Sequence, residues 1–123
     1  MNEQLSQKDR DLILSIDAAL GDGLFLKAYQ IAKPYADTGY AWAEACLGSL
    51  YLCGLGVEQD LWRAKQYLEL AAEQGHGGAW YSLGNLYLMG ADDFQADPEQ
   101  GKRCFEKATE LGYFPGKPLP GLY

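Results

Sequence analysis

The residues with the clearest potential for chemistry are three aspartates close together in the chain, Asp92, Asp93 and Asp97. Carboxylate oxygens are the ligands that Mg²⁺ and Ca²⁺ take in proteins, and a bound divalent cation can activate water for hydrolysis. The segment lacks the glycine-bracketed pattern of a calcium-binding loop. A small metal-dependent or hydrolytic enzyme built on residues 92–97 is therefore one alternative for the function of the chain.

Other residue types that could support catalysis are isolated from suitable neighbours. His76 is the single histidine, and its QGHGG context predicts a solvent-exposed turn. With no second nitrogen ligand and no C-x-x-C pair, the sequence does not predict a zinc site. Ser49 and Ser82 fall in predicted helices, outside the strand-turn-helix context that activates a nucleophilic serine. We therefore expect no catalytic residue, no metal, no cofactor and no enzyme activity.

The chain repeats itself, which indicates how its side chains are positioned. Residues 43–75 return as residues 79–112. The first helix of each unit carries the clearest matches, because Leu47, Gly48, Tyr51 and Gly54 recur 36 residues later as Leu83, Gly84, Tyr87 and Gly90. A period of this length is typical of a solenoid of helix pairs. Stacked units of that kind usually produce a binding surface rather than a reaction centre.

Each unit reads as two antiparallel helices joined by a turn. Asp60 and Asp97 are N-caps for the second helices, and Pro98 suits a first helical position. Residues 5–39 carry a weaker version of the pattern and predict a degenerate helix pair, in which Pro34 should kink or end the second helix. We predict an all-α fold, a right-handed α-α solenoid of about three antiparallel helix pairs in one domain, 1–123, with repeats at 41–75 and 77–112. The Pro- and Gly-rich residues 113–123 predict an irregular tail that either packs over the last repeat or acts as an extended ligand.

Composition limits the partners and the compartment. The chain has 123 residues and a net charge of −7, so we expect no binding to nucleic acid or to an anionic membrane, whereas a basic protein would be attracted. No signal peptide or membrane-spanning stretch is evident. Cys46, Cys53 and Cys104 are odd in number, which favours reduced thiols and a cytoplasmic location. We expect a monomer when the protein is free, although stacking of the repeat ends into a homodimer is a second alternative.

The repeat resembles the Sel-one-like repeat, a relative of the tetratricopeptide repeat. The match in the first unit is carried by Leu47, Gly48, Tyr51, Gly54, Gly56, Val57, Asp60, Ala64, Ala71, Ala72 and Gly75. The resemblance implies an adaptor or scaffold in protein complexes, and small bacterial members look like immunity partners of secreted toxins. One branch of the family joins the helices of a repeat by a disulfide, but the matching positions here are Glu44 and Ala72.

Alignment to the tetratricopeptide pattern predicts which side chains point into the concave face. From these positions, and from the irregular acidic loop, we predict partner-binding residues Trp42, Ser49, Leu52, Tyr81, Asn85, Leu88, Met89, Asp92, Asp93 and Phe94. Aromatic and Met side chains are common anchors in protein interfaces. The sequence therefore predicts a module that binds one protein or peptide, with toxin neutralisation as the most specific form and a general adaptor as the alternative.

Overall fold

The computed structural model of the protein describes residues 6–91 and 93–113, and these residues form six α-helices. The helices are α1 (Gln7–Gly21), α2 (Phe25–Asp37), α3 (Ala41–Cys53), α4 (Leu61–Glu73), α5 (Gly77–Met89) and α6 (Pro98–Glu110). Each helix packs on the next one along the chain, and α3 also contacts α5. The result is the predicted α-α solenoid of three helix pairs, α1/α2, α3/α4 and α5/α6.

Three of the helices, α1, α4 and α6, begin where the sequence supplies a side-chain oxygen for the unpaired backbone N–H groups of the first turn. Ser6 accepts a hydrogen bond from the backbone of Asp9 and starts α1. Asp60 accepts from two backbone N–H groups and starts α4, and Asp97 accepts from the backbone of Gln100 and starts α6. These contacts confirm both aspartates as N-caps, a role that uses their carboxylates structurally.

Glycines allow the helices of a pair to approach closely. A Cβ on Gly48 would lie 2.5 Å from Cγ of Leu68, so α4 can pack here only because α3 has no side chain. Gly84 makes room for the ring of Phe105 in the same way, because a Cβ on Gly84 would lie 2.6 Å from Cε1 of that ring. A Cβ on Gly101 would lie 3.0 Å from the backbone oxygen of Gly84. The glycine in the middle of α6 therefore reflects unusually close packing.

The core runs through the stack in two adjoining clusters. Small alanines of α2, among them Ala28 and Ala32, are fully buried against α3. The second cluster fills the space between α3, α4, α5 and α6. Pro34 lies inside α2, and the helix continues past it to Asp37, so this proline does not end the helix, and the alternative that it kinks α2 stays a prediction. The predicted tail from residue 114 onwards lies outside the described residues.

Candidate functional site

The first helices of the three pairs, α1, α3 and α5, line a groove of about 400 Å³. Its apolar wall comes mainly from α1 and α3, and its polar side chains come from all three helices. We call this surface the groove; it is lined by Ile13, Ile16, Asp17, Leu20, Trp42, Ala45, Cys46, Ser49, Leu50, Cys53, Leu55, His76, Gly78, Ser82 and Tyr113. Apolar surface with a few polar groups is the usual composition of a ligand site.

Trp42 and His76 meet at one end of the groove. Their rings pack edge to face with centroids 4.6 Å apart. His76 Nδ1 accepts a hydrogen bond of 3.0 Å from the backbone N–H of Ala79, so the imidazole is the N-cap of α5. The expectation that His76 lies in a solvent-exposed turn is wrong, because the helix cap turns its ring back against the tryptophan.

The protonation state of His76 follows from its burial. Burial lowers the pKa of the imidazole from 6.5 to about 4, which keeps the ring neutral near pH 7. Since Nδ1 accepts from Ala79, the ring proton lies on Nε2. That nitrogen is buried and has no hydrogen-bond partner among the described residues. His76 is therefore a fixed part of the groove wall and not a group that titrates in neutral solution.

Asp17 is the one charged side chain among the described residues that line the groove. Partial burial raises the pKa of its carboxyl group. Burial, and then the nearby charge of Asp17, raise the pKa of the Cys46 thiol to about 12, so this cysteine stays protonated. Asp17 forms no ion pair with any described residue. The groove therefore offers an anion without a cation.

The structure brings only part of the predicted binding set together. Trp42 and Ser49 line the groove, and their role in partner binding stays a prediction. Leu52 is 5 % exposed and belongs to the core, so its inclusion in an open surface is wrong. The reason lies in its position on α3, because Leu52 and Ala45 face the next repeat and pack in the cluster formed with α5.

The predicted residues of α5 lie away from the groove lining. Tyr81 and Leu88 follow Ala45 and Leu52 by 36 residues, so they occupy the positions that would face a further repeat. Tyr81 instead packs on Phe105 of α6, with ring centroids 5.2 Å apart, and Leu88 is 48 % exposed beside Gly101. We call Tyr81, Leu88 and Phe105 the end face. Two further predicted residues of α5 also lie outside the groove lining, the half-buried Asn85 and the exposed Met89.

The loop before α6 is held against α4 instead of projecting into solvent. Trp62 donates from Nε1 to the carbonyl of Asp93 at 2.9 Å, and its ring packs against Phe94 with centroids 4.7 Å apart. Phe94 is 4 % exposed, so its prediction as an exposed contact residue is wrong. Asp93 is exposed, and Asp92 lies outside the described residues. Within the described part, no group of three or more His, Cys, Asp and Glu side chains could hold a metal ion.

The contribution of α1 to the groove was not among the predicted features. Ile13, Ile16, Asp17 and Leu20 were assigned only to a degenerate N-terminal pair, yet they form one wall of the groove. Their spacing of three and four residues places them on one helix face and was the available signal. His76 and Tyr113 were also not predicted. His76 precedes the first helix of the second repeat, and Tyr113 stands at the corresponding position after α6. Both positions lie outside the helices that the repeat alignment compares.

The structure is a solenoid of short helix pairs that approach closely at glycines, with an open groove along the first helices. This architecture is typical of protein-interaction modules. The Sel1 repeat family matches residues 43–76 and 79–113. The chain therefore belongs to the Sel1 repeat family. Proteins with this repeat are generally protein-interaction modules and non-enzymatic scaffolds.

Similar proteins come from distant organisms. A putative sel1-like repeat-containing protein of Acanthamoeba polyphaga mimivirus is 31% identical over 88 residues, which is 72% of this chain and 16% of that protein. The mouse DAP3-binding cell death enhancer 1 is 29% identical over 104 residues, covering 85% of this chain and 20% of its own length. This chain thus spans no more than about a fifth of these two relatives.

Two solved structures share the fold. A protective antigen of uropathogenic Escherichia coli strains, which displays an SLR fold, is 28% identical with a TM-score of 0.68, covering 83% of this chain and 22% of the other. A Sel1 repeat protein from Oxalobacter formigenes is also 28% identical, with a TM-score of 0.63 and coverage of 80% and 31%. Among the described residues, no helix is long and apolar enough to cross a membrane.

Proposed function

We propose that this protein binds an extended segment of one protein partner in the groove, and that the segment carries a lysine or arginine which pairs with Asp17. The observation that carries this proposal is an apolar groove whose one charged side chain, among the described residues, has no cationic partner. A partner cation would stabilise the Asp17 carboxylate, whose charged form partial burial disfavours.

The rest of the groove supports an extended peptide as the ligand. Trp42 presents a large aromatic surface fixed by its contact with His76, and rigid aromatic side chains lose little entropy on binding. The half-buried Leu20 and the exposed Leu55 supply apolar wall for aliphatic side chains of the ligand. Ser49 and Ser82 place hydroxyl groups where they can accept from and donate to a peptide backbone.

The charge of the whole chain favours a basic partner as well. A net charge of −7 accelerates the encounter with a cationic protein, and this long-range effect weakens as salt is added. The mouse relative is named for binding a protein, DAP3, which supports the same class of function here. Neutralisation of a basic toxin is the narrowest form of our proposal, and a general adaptor is the broader one.

The free cysteines support a cytoplasmic location within this proposal. Cys46, Cys53 and Cys104 are unpaired in the structure, as expected in a reducing compartment. We further propose that the protein is a monomer when free and that nucleic acid and membranes are not its partners, since its charge repels polyanionic surfaces.

The test compares two charge reversals on α1 in affinity purification from the native lysate. Asp17→Lys removes the anion of the groove, whereas Asp11→Lys makes the same change in net charge outside the groove lining. We expect one stoichiometric partner with the parent protein and with Asp11→Lys, and its loss with Asp17→Lys. Equal recovery by the two variants would show that binding depends on overall charge or on another surface.

A further inference from the structure

We propose that residues 114–123 of this chain are themselves a ligand of the groove, with Lys117 paired to Asp17, so that an external partner must displace them. This inference rests on the groove described above as the binding surface. The segment and an external partner would then compete for the same groove.

Tyr113 connects the segment to the groove. It is the last described residue before residue 114, and it lines the groove beside Trp42 and His76. Its backbone N–H donates to the carbonyl of Ala108 at 3.0 Å, and its ring packs on Tyr81 with centroids 5.5 Å apart. The chain therefore leaves α6 at the Trp42 end of the groove, already in contact with its wall.

The length of the segment suits the groove. Trp42 and Cys53 line its two ends on α3, and a helical rise of 1.5 Å per residue separates them by about 16 Å along the helix axis. An extended chain advances about 3.1 Å per residue, so roughly five residues after Tyr113 cover that distance. The proposal therefore pairs Leu119 with the Cys53 end of the groove and Lys117 with Asp17.

The composition of the segment matches the chemistry of the groove. Its sequence is FPGKPLPGLY, in which Lys117 is the one charged side chain and the remaining residues are apolar, aromatic, proline or glycine. The exposed Asp17 supplies the opposite charge in the groove lining, and Leu20 and Leu55 supply accessible apolar wall. Proline favours an extended backbone before binding, which reduces the entropy lost when the segment docks.

A cysteine cross-link in the full chain tests this placement. Cys53 is exposed in the groove, whereas Cys104 is buried and burial raises the pKa of the Cys46 thiol to about 12. We would introduce Leu119→Cys, apply mild oxidation and identify disulfides by mass spectrometry, because a disulfide needs Cα atoms within about 7 Å. A matched variant carries Met89→Cys with Leu119→Cys and Cys53→Ser, which offers a thiol near the end face instead.

Charge variants then test the pairing of Lys117 with Asp17. In the Leu119→Cys protein, we expect an intramolecular link to Cys53, and Lys117→Glu should lower its yield about threefold, the range of an exposed ion pair. Adding Asp17→Lys to Lys117→Glu should restore the yield. A link to the end-face thiol alone, a link only between two copies, or no link at all would overturn the inference.

These outcomes are separable from the test of the proposed function. The cross-link needs no partner, so a negative result leaves partner binding by the groove intact. Loss of partner binding in Asp17→Lys together with a positive cross-link would support both. A positive cross-link with unchanged partner binding in Asp17→Lys would support residues 114–123 as the ligand of the groove. It would also show that the external partner binds elsewhere.

Discussion

Trp42 and His76 lie 34 positions apart in the sequence and pack edge to face with ring centroids 4.6 Å apart. The contact joins the first turn of α3 to the N-cap of α5, two helices from neighbouring repeats. The imidazole of His76 therefore caps the N-terminus of α5, contacts the neighbouring repeat and forms part of the groove wall.

Acid should destabilise the protein through His76. The folded state binds a proton on this ring more weakly than the unfolded chain, because burial lowers the pKa from 6.5 to about 4. The stability contributed by the neutral ring is complete above pH 6.5 and is lost as the pH falls towards 4, by about 3 kcal/mol in total. We expect urea unfolding of the parent and His76→Asn, which keeps a capping side chain, to converge across this window. A difference between the two proteins that does not change with pH would contradict the assignment.

Adding a side chain at Gly48 should destabilise the protein. We expect Gly48→Ala to lower the free energy of unfolding by about 1–3 kcal/mol, since the new methyl group would meet Leu68 and α4 would have to move. Gly21→Ala is the matched control, because nothing lies within 4 Å of the position of its new Cβ and its φ angle is not positive. Urea denaturation should show the control within about 0.5 kcal/mol of the parent or slightly more stable. Equal effects would mean that α3 and α4 do not approach closely at this glycine.

Gln74 should stabilise the buried carboxylate of Glu44. Glu44 is 3 % exposed, and its Oε1 accepts from Nε2 of Gln74 at 2.7 Å, which joins the first helix of the repeat to the end of the second. Burial raises the pKa of Glu44. We expect Gln74→Ala to cost about 1–3 kcal/mol at pH 7, because the acceptor stays buried without its donor. Gln66→Ala on the exposed side of α4 is the control, and thermal unfolding should find it near the parent.

Trp62 should hold the loop before α6 by its hydrogen bond as well as by its ring. Trp62→Phe keeps an aromatic ring against Phe94 but removes the bond to the Asp93 carbonyl, so we expect a loss of about 1 kcal/mol. Trp62→Ala should cost more and should increase hydrogen exchange in residues 93–97. Identical exchange in the alanine variant and the parent would show that the loop is held by other contacts.

The repeat itself was readable from the sequence because its signals are local. Gly48 and Gly84, with the capping Asp60 and Asp97, recur at a fixed spacing, and each has the same structural task in both units. The four helices of the two matching repeats, α3 to α6, follow this pattern, and the family match confirms the recognition of a Sel1 repeat.

The groove was only partly readable, because it is assembled from different repeats. Trp42 and Ser49 were found by analogy between units, whereas Asp17 belongs to the degenerate pair that the analogy did not reach. The prediction for Leu52 is wrong for a different reason. Its position is buried between repeats in the middle of the stack, and the equivalent position is exposed only in the last repeat, as at Leu88. The tight loop at Phe94 depends on Trp62, a contact across 32 residues that no local pattern reveals.

The most direct test of the groove uses two equivalent positions of the repeat. Ser49 lines the groove, and Asn85, its counterpart 36 residues later, does not. Ser49→Trp and Asn85→Trp therefore add the same bulk at equivalent sites, and circular dichroism would confirm that both remain helical. We would measure the affinity of the purified stoichiometric partner for each by isothermal titration calorimetry. Our account predicts that Ser49→Trp weakens binding at least tenfold while Asn85→Trp binds like the parent, a difference of about 1.4 kcal/mol or more. Equal affinity in the two variants, or a loss only in Asn85→Trp, would contradict the groove as the binding surface.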